Sequence, residues 1–466
     1  MDSQASAAAS ALYQALVSEL CADDVSADMD IAQRHAGDWS ETARERPSLV
    51  VFPRTPDQLA AALAVLSRFG QKAVIQGGLT GLAGAATPQP GEVALSLSKL
   101  NRIEEFDRIG GTVTVQAGVT LEQVQACVEA EGWFFPLDLG ARGSCQIGGN
   151  AATNAGGNRV IRYGTMRDLV LGLEVALPDG SLMTMLNRVT KNTTGIDLKH
   201  LFIGAEGILG VITRLVLKLA PKPASSVTAL CALTSFDDAA TLLKEMRRHL
   251  PTLSAFELMW QGFIDKAVDI TGARPPFGGQ HPIYVLVELL GVSDEQDRAQ
   301  LEAFLEQALE QSLVQDVIVA QSIEHAKQLW AYRESIGEML SRLKPHAAFD
   351  VGIPVAAMDG FVRSVRRILQ STFPQQSHLF FGHLGDGNLH VLSGPYPTPA
   401  ALHEVEEIVY RAVGEVHGSV SAEHGIGVIK KEFLHLSRSP QELALMHGLK
   451  RLLDPGNVLN AGRILD

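Results

Sequence analysis

A chain of 466 residues is too long for one ordinary hydrophobic core and fits about two or three domains. With 46% hydrophobic and 20% charged residues it reads as globular, and a formal charge of -13 argues against a nucleic-acid or anionic-membrane surface, either of which would require a basic face. A small anionic substrate would then need a local basic pocket.

Residues 1–45 predict a short helix and an irregular arm. The first twenty residues carry Asp2 and Glu19 and no Lys or Arg, unlike a secretory signal or a transit peptide. No run of about eighteen apolar residues occurs, so no transmembrane segment is expected. Cys21, Cys127, Cys145 and Cys231 are scattered without Cys-x-x-Cys spacing, which predicts no disulfide framework and a reducing compartment, by default the cytoplasm.

Residues 48–52 read as a strand ending at Pro53, and Asp57 opens an amphipathic helix with Leu59, Leu63 and Leu66 on one face. The strand 72–76 then runs into Gly77-Gly78-Leu79-Thr80-Gly81. Glycine lets backbone N–H groups press against a pyrophosphate, although a plain glycine turn is the alternative. The order is neither a Rossmann fingerprint nor a Walker loop.

A second glycine-rich stretch, 143–164, holds Ser144, Gly148, Gly149, Gly156, Gly157 and Gly164 among Asn150, Thr153 and Asn154. Small polar donors with little bulk suit an extended polar ligand and make a poor core element; a linker is the alternative. It leads into a strand at 171–177 and a Pro-Asp-Gly turn. A third stretch, 197–213, containing Glu206 and Ile212, leads into a strand at 211–219, and Pro221 and Pro223 close the unit.

From about 225 the pattern becomes strands at 227–233, 283–289, 314–320 and 349–353 among helices at 237–250, 294–312 and 323–343, which predicts an antiparallel sheet covered by helices. A hairpin follows at 378–392. His383 and His390 straddle Gly385-Asp386-Gly387, and although histidines seven apart could share a helix face, these glycines disfavour a helix and Asp-Gly is a hairpin-turn dipeptide. Imidazoles on the two arms can converge on one ion; zinc suits them, with Glu423 as the third ligand. Two turn-flanking histidines without a metal are the alternative. A helix is expected at 400–416, and Asn460 lies in a turn-rich end.

These segments together resemble flavoproteins of the vanillyl-alcohol oxidase (PCMH-type FAD-binding) superfamily, most closely its FAD-dependent D-2-hydroxy-acid dehydrogenases, the group of D-2-hydroxyglutarate dehydrogenase, D-lactate dehydrogenase and the glycolate oxidase flavin subunit. The resemblance runs from about Asp38 to Gly462. It implies an α+β architecture: a two-subdomain PCMH-type FAD-binding domain plus a ferredoxin-like antiparallel cap with helices on one face. The implied partition is an arm at 1–45, the FAD domain at 46–222, the cap at 223–415 and a returning segment at 416–466. On this resemblance Gln76, Gly77, Gly78, Leu79, Thr80, Gly81 and Leu82 form the pyrophosphate loop. Residues 146–150 and 154–157 form the isoalloxazine-side segment, and Ser144, Thr153 and Gly164 also bind the cofactor; Glu206 and Ile212 lie on the adenine side, and Asn460 returns to the flavin. No histidine lies between His35 and His200, so non-covalent FAD is implied.

The resemblance also puts His383, His390 and Glu423 on metal-ligand positions, Asn388 and His424 on substrate contacts, His424 as general base and Arg333 on the substrate carboxylate. Members acting on hydroxyglutarate carry a serine or threonine four residues after that arginine and a lysine before the strand aspartate; here Gly337 and Ala348 stand instead. The implied reaction oxidises a D-2-hydroxy acid of the hydroxyglutarate, lactate or malate class to the 2-oxo acid, with hydride passing to flavin N5. An electron-transfer flavoprotein or quinone-linked acceptor and a homodimer are implied as partners. The rival readings are a flavin-binding electron-transfer or assembly subunit without activity, and an oxygen-using oxidase.

Overall fold

The computed structural model describes residues 2–466, with side chains from Ser10 onward. After an opening helix at Asp2–Glu19, the helix Pro56–Arg68 starts where Thr55 Oγ1 accepts the Gln58 N–H and proline fills a position that needs no donor. Leu59, Leu63 and Leu66, one helical face, are fully buried. The chain divides into two units: Met1–Gly157, Gly164–Lys222 and Glu423–Asp466 form one, and Asn158–Tyr163 with Pro223–Ala422 the other.

The first unit contains two main sheets. Strands β1 (Val25–Ser26), β2 (Leu49–Val51), β3 (Ala73–Gln76) and β4 (Val93–Ser96) lie in the order β1-β2-β4-β3, parallel except at β1. Next come β5 (Ile103–Asp107), β6 (Thr112–Gln116), the short β7 (Trp133–Phe134), β8 (Val170–Ala176), β9 (Leu182–Met185), β10 (Val211–Lys218) and β11 (Ala220–Pro221). Five of these form an antiparallel sheet, β5-β6-β10-β8-β9, and β7 pairs with β11. The last residues return to the edge of β3, where Ala73 N donates to Val458 O and Asn460 N donates to Ala73 O. Asp454 fixes that return by accepting the Val458 and Leu459 N–H groups.

The stretch 143–164 is not a loop throughout. It contains the short helix Ile147–Ala152, with Ile147, Gly148, Asn150 and Ala151 buried. Gly148 N donates to Ala117 O, and a Cβ on Gly148 would come within 2.5 Å of the Ala117 Cβ. Glycine here serves close packing, which composition alone does not distinguish from a loop.

The second unit is built on β12 (Ser225–Leu233), β13 (Leu253–Trp260), β14 (Ile283–Gly291), β15 (Asp316–Val319), β16 (Ala347–Gly352), β17 (Ser377–His383) and β18 (Asn388–Gly394). They form one antiparallel sheet in the order β15-β12-β14-β13-β17-β18-β16. Helices cover both of its faces, where the sequence reading puts them on one. Neighbouring residues on a strand face opposite ways. Phe380 meets Trp260, which stacks on Phe236 of the helix Phe236–His249, whereas Phe381 meets Phe263 of the helix Gln261–Thr271. The helix expected over 323–343 breaks at Ser335 into Ile323–Glu334 and Ile336–Arg342, with the Ser335 hydroxyl donating to Tyr332 O. Among the described residues no helix is long and apolar enough to cross a membrane.

Candidate active site

In the first unit the glycine loops meet. β3 ends at Gln76, whose Nε2 donates to His35 O and Ala86 O while Oε1 lies 2.7 Å from His35 Nδ1. Gln76 thus shapes the loop from below. Beyond it, the N–H groups of Gly78, Leu79, Thr80, Gly81 and Leu82 find no protein acceptor among the described residues, and Gly81 and Leu82 are exposed. A Cβ on Gly78 would overlap the Ser144 carbonyl oxygen, and one on Gly77 would lie 3.8 Å from Gly149 Cα. Similarly, a Cβ on Gly157 would overlap the Asp138 carbonyl oxygen. Gly156 is buried, and Gly164 takes φ +77° beside Asp168.

Several other residues in the expected cofactor set hold the backbone. Asn154 Oδ1 accepts the Arg167 N–H, and the Thr153 hydroxyl donates to Gly149 O. Asn150 Nδ2 reaches Cys145 Sγ. Asn460 accepts the Ile75 N–H at 2.8 Å and donates to Glu206 O at 2.7 Å. Glu206 accepts the Ile426 and Gly427 N–H groups at 2.7 and 2.9 Å, and its burial pushes the carboxyl up against those two bonds and the Lys430 charge. Ile212 is a buried residue of β10 opposite Val175. Leu79, Asn154, Glu206 and Asn460 all adopt left-handed φ, four of the eight non-glycine residues that do so among those described. Such conformations are costly, and their concentration in this set marks a region shaped for a ligand. Gln146 Oε1 is buried without a hydrogen-bond partner. Unused N–H donors, glycines that admit close backbone approach and an unmatched amide oxygen suit a pyrophosphate-bearing dinucleotide such as FAD.

In the second unit β17 and β18 form the expected hairpin, with His383 paired to Asn388 and Phe381 to His390. Gly387 takes φ +80° at the turn, and Asp386 Oδ1 accepts the Asn388 N–H. The imidazole centroids of His383 and His390 are 5.4 Å apart and nearly perpendicular. Residue 423 follows Ala422, the last residue of this unit, through a bend, and ligand atoms of His383, His390 and Glu423 lie within 4.8 Å of one another. This donor set, two imidazoles and a carboxylate, suits a divalent metal such as zinc. The next residue, His424, is half-buried, and Gly425 and Gly427 have left-handed φ. Asn388 is 4% exposed, and neither end of its carboxamide has a hydrogen-bond partner.

Arg333, on the helix Ile323–Glu334, is buried with its guanidinium 4.8 Å from the Phe381 ring centroid. Its Nε donates to Glu257 Oε2 at 2.7 Å, while Nη2 lies 3.4 Å from His383 Nε2. Glu257 Oε1 in turn lies 2.6 Å from His383 Nδ1. Burial pushes the Glu257 carboxyl up, but the neighbouring His383 and Arg333 outweigh it and hold the group below its usual range. The sequence reading misses Glu257 because it assigns no element to 253–260. The available signal was one acid inside an apolar run, which has to find a buried partner. A Cβ on Gly337 would meet open space, and Ala348 is exposed.

The FAD binding domain family matches residues 47–186, and the family of FAD linked oxidases, C-terminal domain, matches 222–464. A D-2-hydroxyglutarate dehydrogenase of Xanthomonas citri pv. viticola is 39% identical over 443 residues, covering 93% of this chain and 92% of the relative. One from Stutzerimonas stutzeri is 34% identical, covering 94% and 95% of the two chains. The structure of p-cresol methylhydroxylase with substrate bound is similar in fold at a TM-score of 0.80 and 16% identity, covering 99% of this chain and 97% of the other. Glycine loops suited to a dinucleotide, matches to both FAD-linked family domains and near-full-length relatives lead to one assignment: the chain belongs to the family of FAD linked oxidases, in the group of its D-2-hydroxyglutarate dehydrogenase relatives.

Proposed function

We propose that the chain oxidises a D-2-hydroxy acid of the hydroxyglutarate, lactate or malate class to the corresponding 2-oxo acid. When bound, non-covalent FAD supplies the hydride acceptor, and a divalent ion, most simply zinc, supplies a Lewis acid for the substrate hydroxyl. His383, His390 and Glu423 would hold that ion, three ligands that leave a position open. Asn388 offers a donor and an acceptor that no protein group uses, suited to a hydroxyl or carboxylate. His424 would take the hydroxyl proton, since a neutral imidazole near pH 7 is a competent base. Arg333, anchored by Nε, would offer its terminal nitrogens, one of which lies 3.4 Å from His383 Nε2, to the substrate carboxylate. An electron-transfer flavoprotein or quinone-linked protein would reoxidise the flavin, and the chain would act as a homodimer.

The observation that carries this reading is the convergence of His383, His390 and Glu423. Relatives named D-2-hydroxyglutarate dehydrogenase support the substrate class. Gly337 and Ala348 offer no polar side chain to the substituent beyond the hydroxy-acid group. The test is a panel of D- and L-2-hydroxy acids with FAD-loaded protein and a dye acceptor, with and without chelator. D-selective turnover that chelation suppresses is expected; preference for L-acids, or indifference to chelation, refutes the proposal.

A further inference from the structure

A carboxylate buried inside a sheet has to be matched by charge and hydrogen bonds. Glu257 is fully buried on β13, in register with His383 on β17, and its two oxygens contact different partners, Oε1 with His383 Nδ1 and Oε2 with Arg333 Nε. A carboxylate facing Nδ1 keeps the proton on that nitrogen and leaves the lone pair on Nε2. Nε2 is the atom that Arg333 Nη2 approaches at 3.4 Å. A guanidinium N–H and a metal cation cannot use the same lone pair. Coordination at His383 Nε2 therefore removes the Nη2 contact, while the Nε bond to Glu257 keeps the arginine in place.

We propose that Glu257 is a positioning residue that presents His383 Nε2 to a divalent ion and tethers Arg333, so that ion binding releases the terminal nitrogens of Arg333 for an anionic group of the substrate. The inference rests on the metal reading above. It makes ion uptake precede productive binding of the acid, because the arginine is turned towards His383 until the ion arrives.

The experiment is zinc affinity by chelator competition on the FAD-loaded full chain, with the flavin absorbance spectrum recorded for every variant. Glu257→Gln retains the shape but cannot accept from both His383 and Arg333. It is expected to weaken zinc binding by about 10- to 100-fold with an unchanged flavin spectrum. Glu257→Asp should fall between it and the wild type, and Arg333→Gln should bind zinc at least as tightly as the wild type, having lost the competitor for Nε2. Wild-type affinity in Glu257→Gln, alongside loss of binding in His383→Ala, would overturn the role of Glu257 and leave the metal reading intact. Unchanged affinity in His383→Ala would overturn both. If Glu257→Gln does not fold, Glu257→Gln/Arg333→Gln, which buries no unmatched charge, carries the test. Weak zinc binding in that double variant supports orientation of His383, and restored binding would mean that Glu257 only neutralises Arg333, overturning the positioning role.

Discussion

Gly149 separates packing from cofactor contact. It lies within the helix Ile147–Ala152, half-exposed, and a Cβ there would meet no atom within 4 Å. Alanine costs the apoprotein nothing sterically and suits a helix better, by about 0.5–1 kcal/mol. If FAD lies against this backbone, the added methyl overpacks the complex by about 1–3 kcal/mol. At about 1.4 kcal/mol per tenfold, that is about 5- to 140-fold in Kd. Gly78→Ala is the contrast, because its Cβ would overlap the Ser144 carbonyl oxygen and the apoprotein should lose stability as well. The assay is titration of deflavinated protein with FAD by fluorescence, paired with urea unfolding of the apoprotein. Gly149→Ala should keep or raise the urea midpoint while binding FAD more weakly. FAD affinity within about twofold of wild type would refute the placement of the cofactor on this segment.

Asn388→Leu removes a carboxamide that has no protein partner, so the urea midpoint should hold or rise while turnover of the hydroxy acid falls by about 10- to 100-fold; full activity would remove Asn388 from the site. Arg463 is fully buried against Glu92 at 2.6 and 2.8 Å, and Arg463→Met should cost about 3–5 kcal/mol in urea unfolding, part of it recovered by adding Glu92→Leu. The Asp24 carboxyl, pushed up by burial but pulled down more strongly by hydrogen bonds from Arg54, Lys99 and the Cys21 thiol, sits at about 2 instead of 3.8. Its stabilisation is complete above the unfolded value and is lost as pH falls towards about 2, so the gap in urea midpoint between wild type and Asp24→Asn should shrink below about pH 4; a pH-independent gap would contradict the pairing.

Much of the first unit was legible because its signals are local. Thr55-Pro56 caps a helix whose Leu59, Leu63 and Leu66 fall on one face, and Gly77-Gly78 follows a strand at its end. The hairpin was legible because Asp386-Gly387 fixes a turn and therefore the facing of His383 and His390. The strand Leu253–Trp260 was not: it is buried at every residue like Ile283–Gly291, but Ser254 and Glu257 interrupt its apolar run, whereas residues 283–287 form an unbroken one. With that strand went Glu257. The roles of Asn460 and Glu206 were also hidden, since both engage backbone groups far away in sequence. The helix break at Ser335 depends on a local hydroxyl-to-carbonyl bond that periodicity does not encode.

The most direct measurement is anomalous X-ray scattering at the zinc edge from crystals of the FAD-loaded chain grown with zinc. The account predicts one strong peak about 2.0–2.2 Å from a nitrogen of each of His383 and His390 and a carboxylate oxygen of Glu423. A map with no peak among these three side chains, or with its only peak elsewhere, would contradict it.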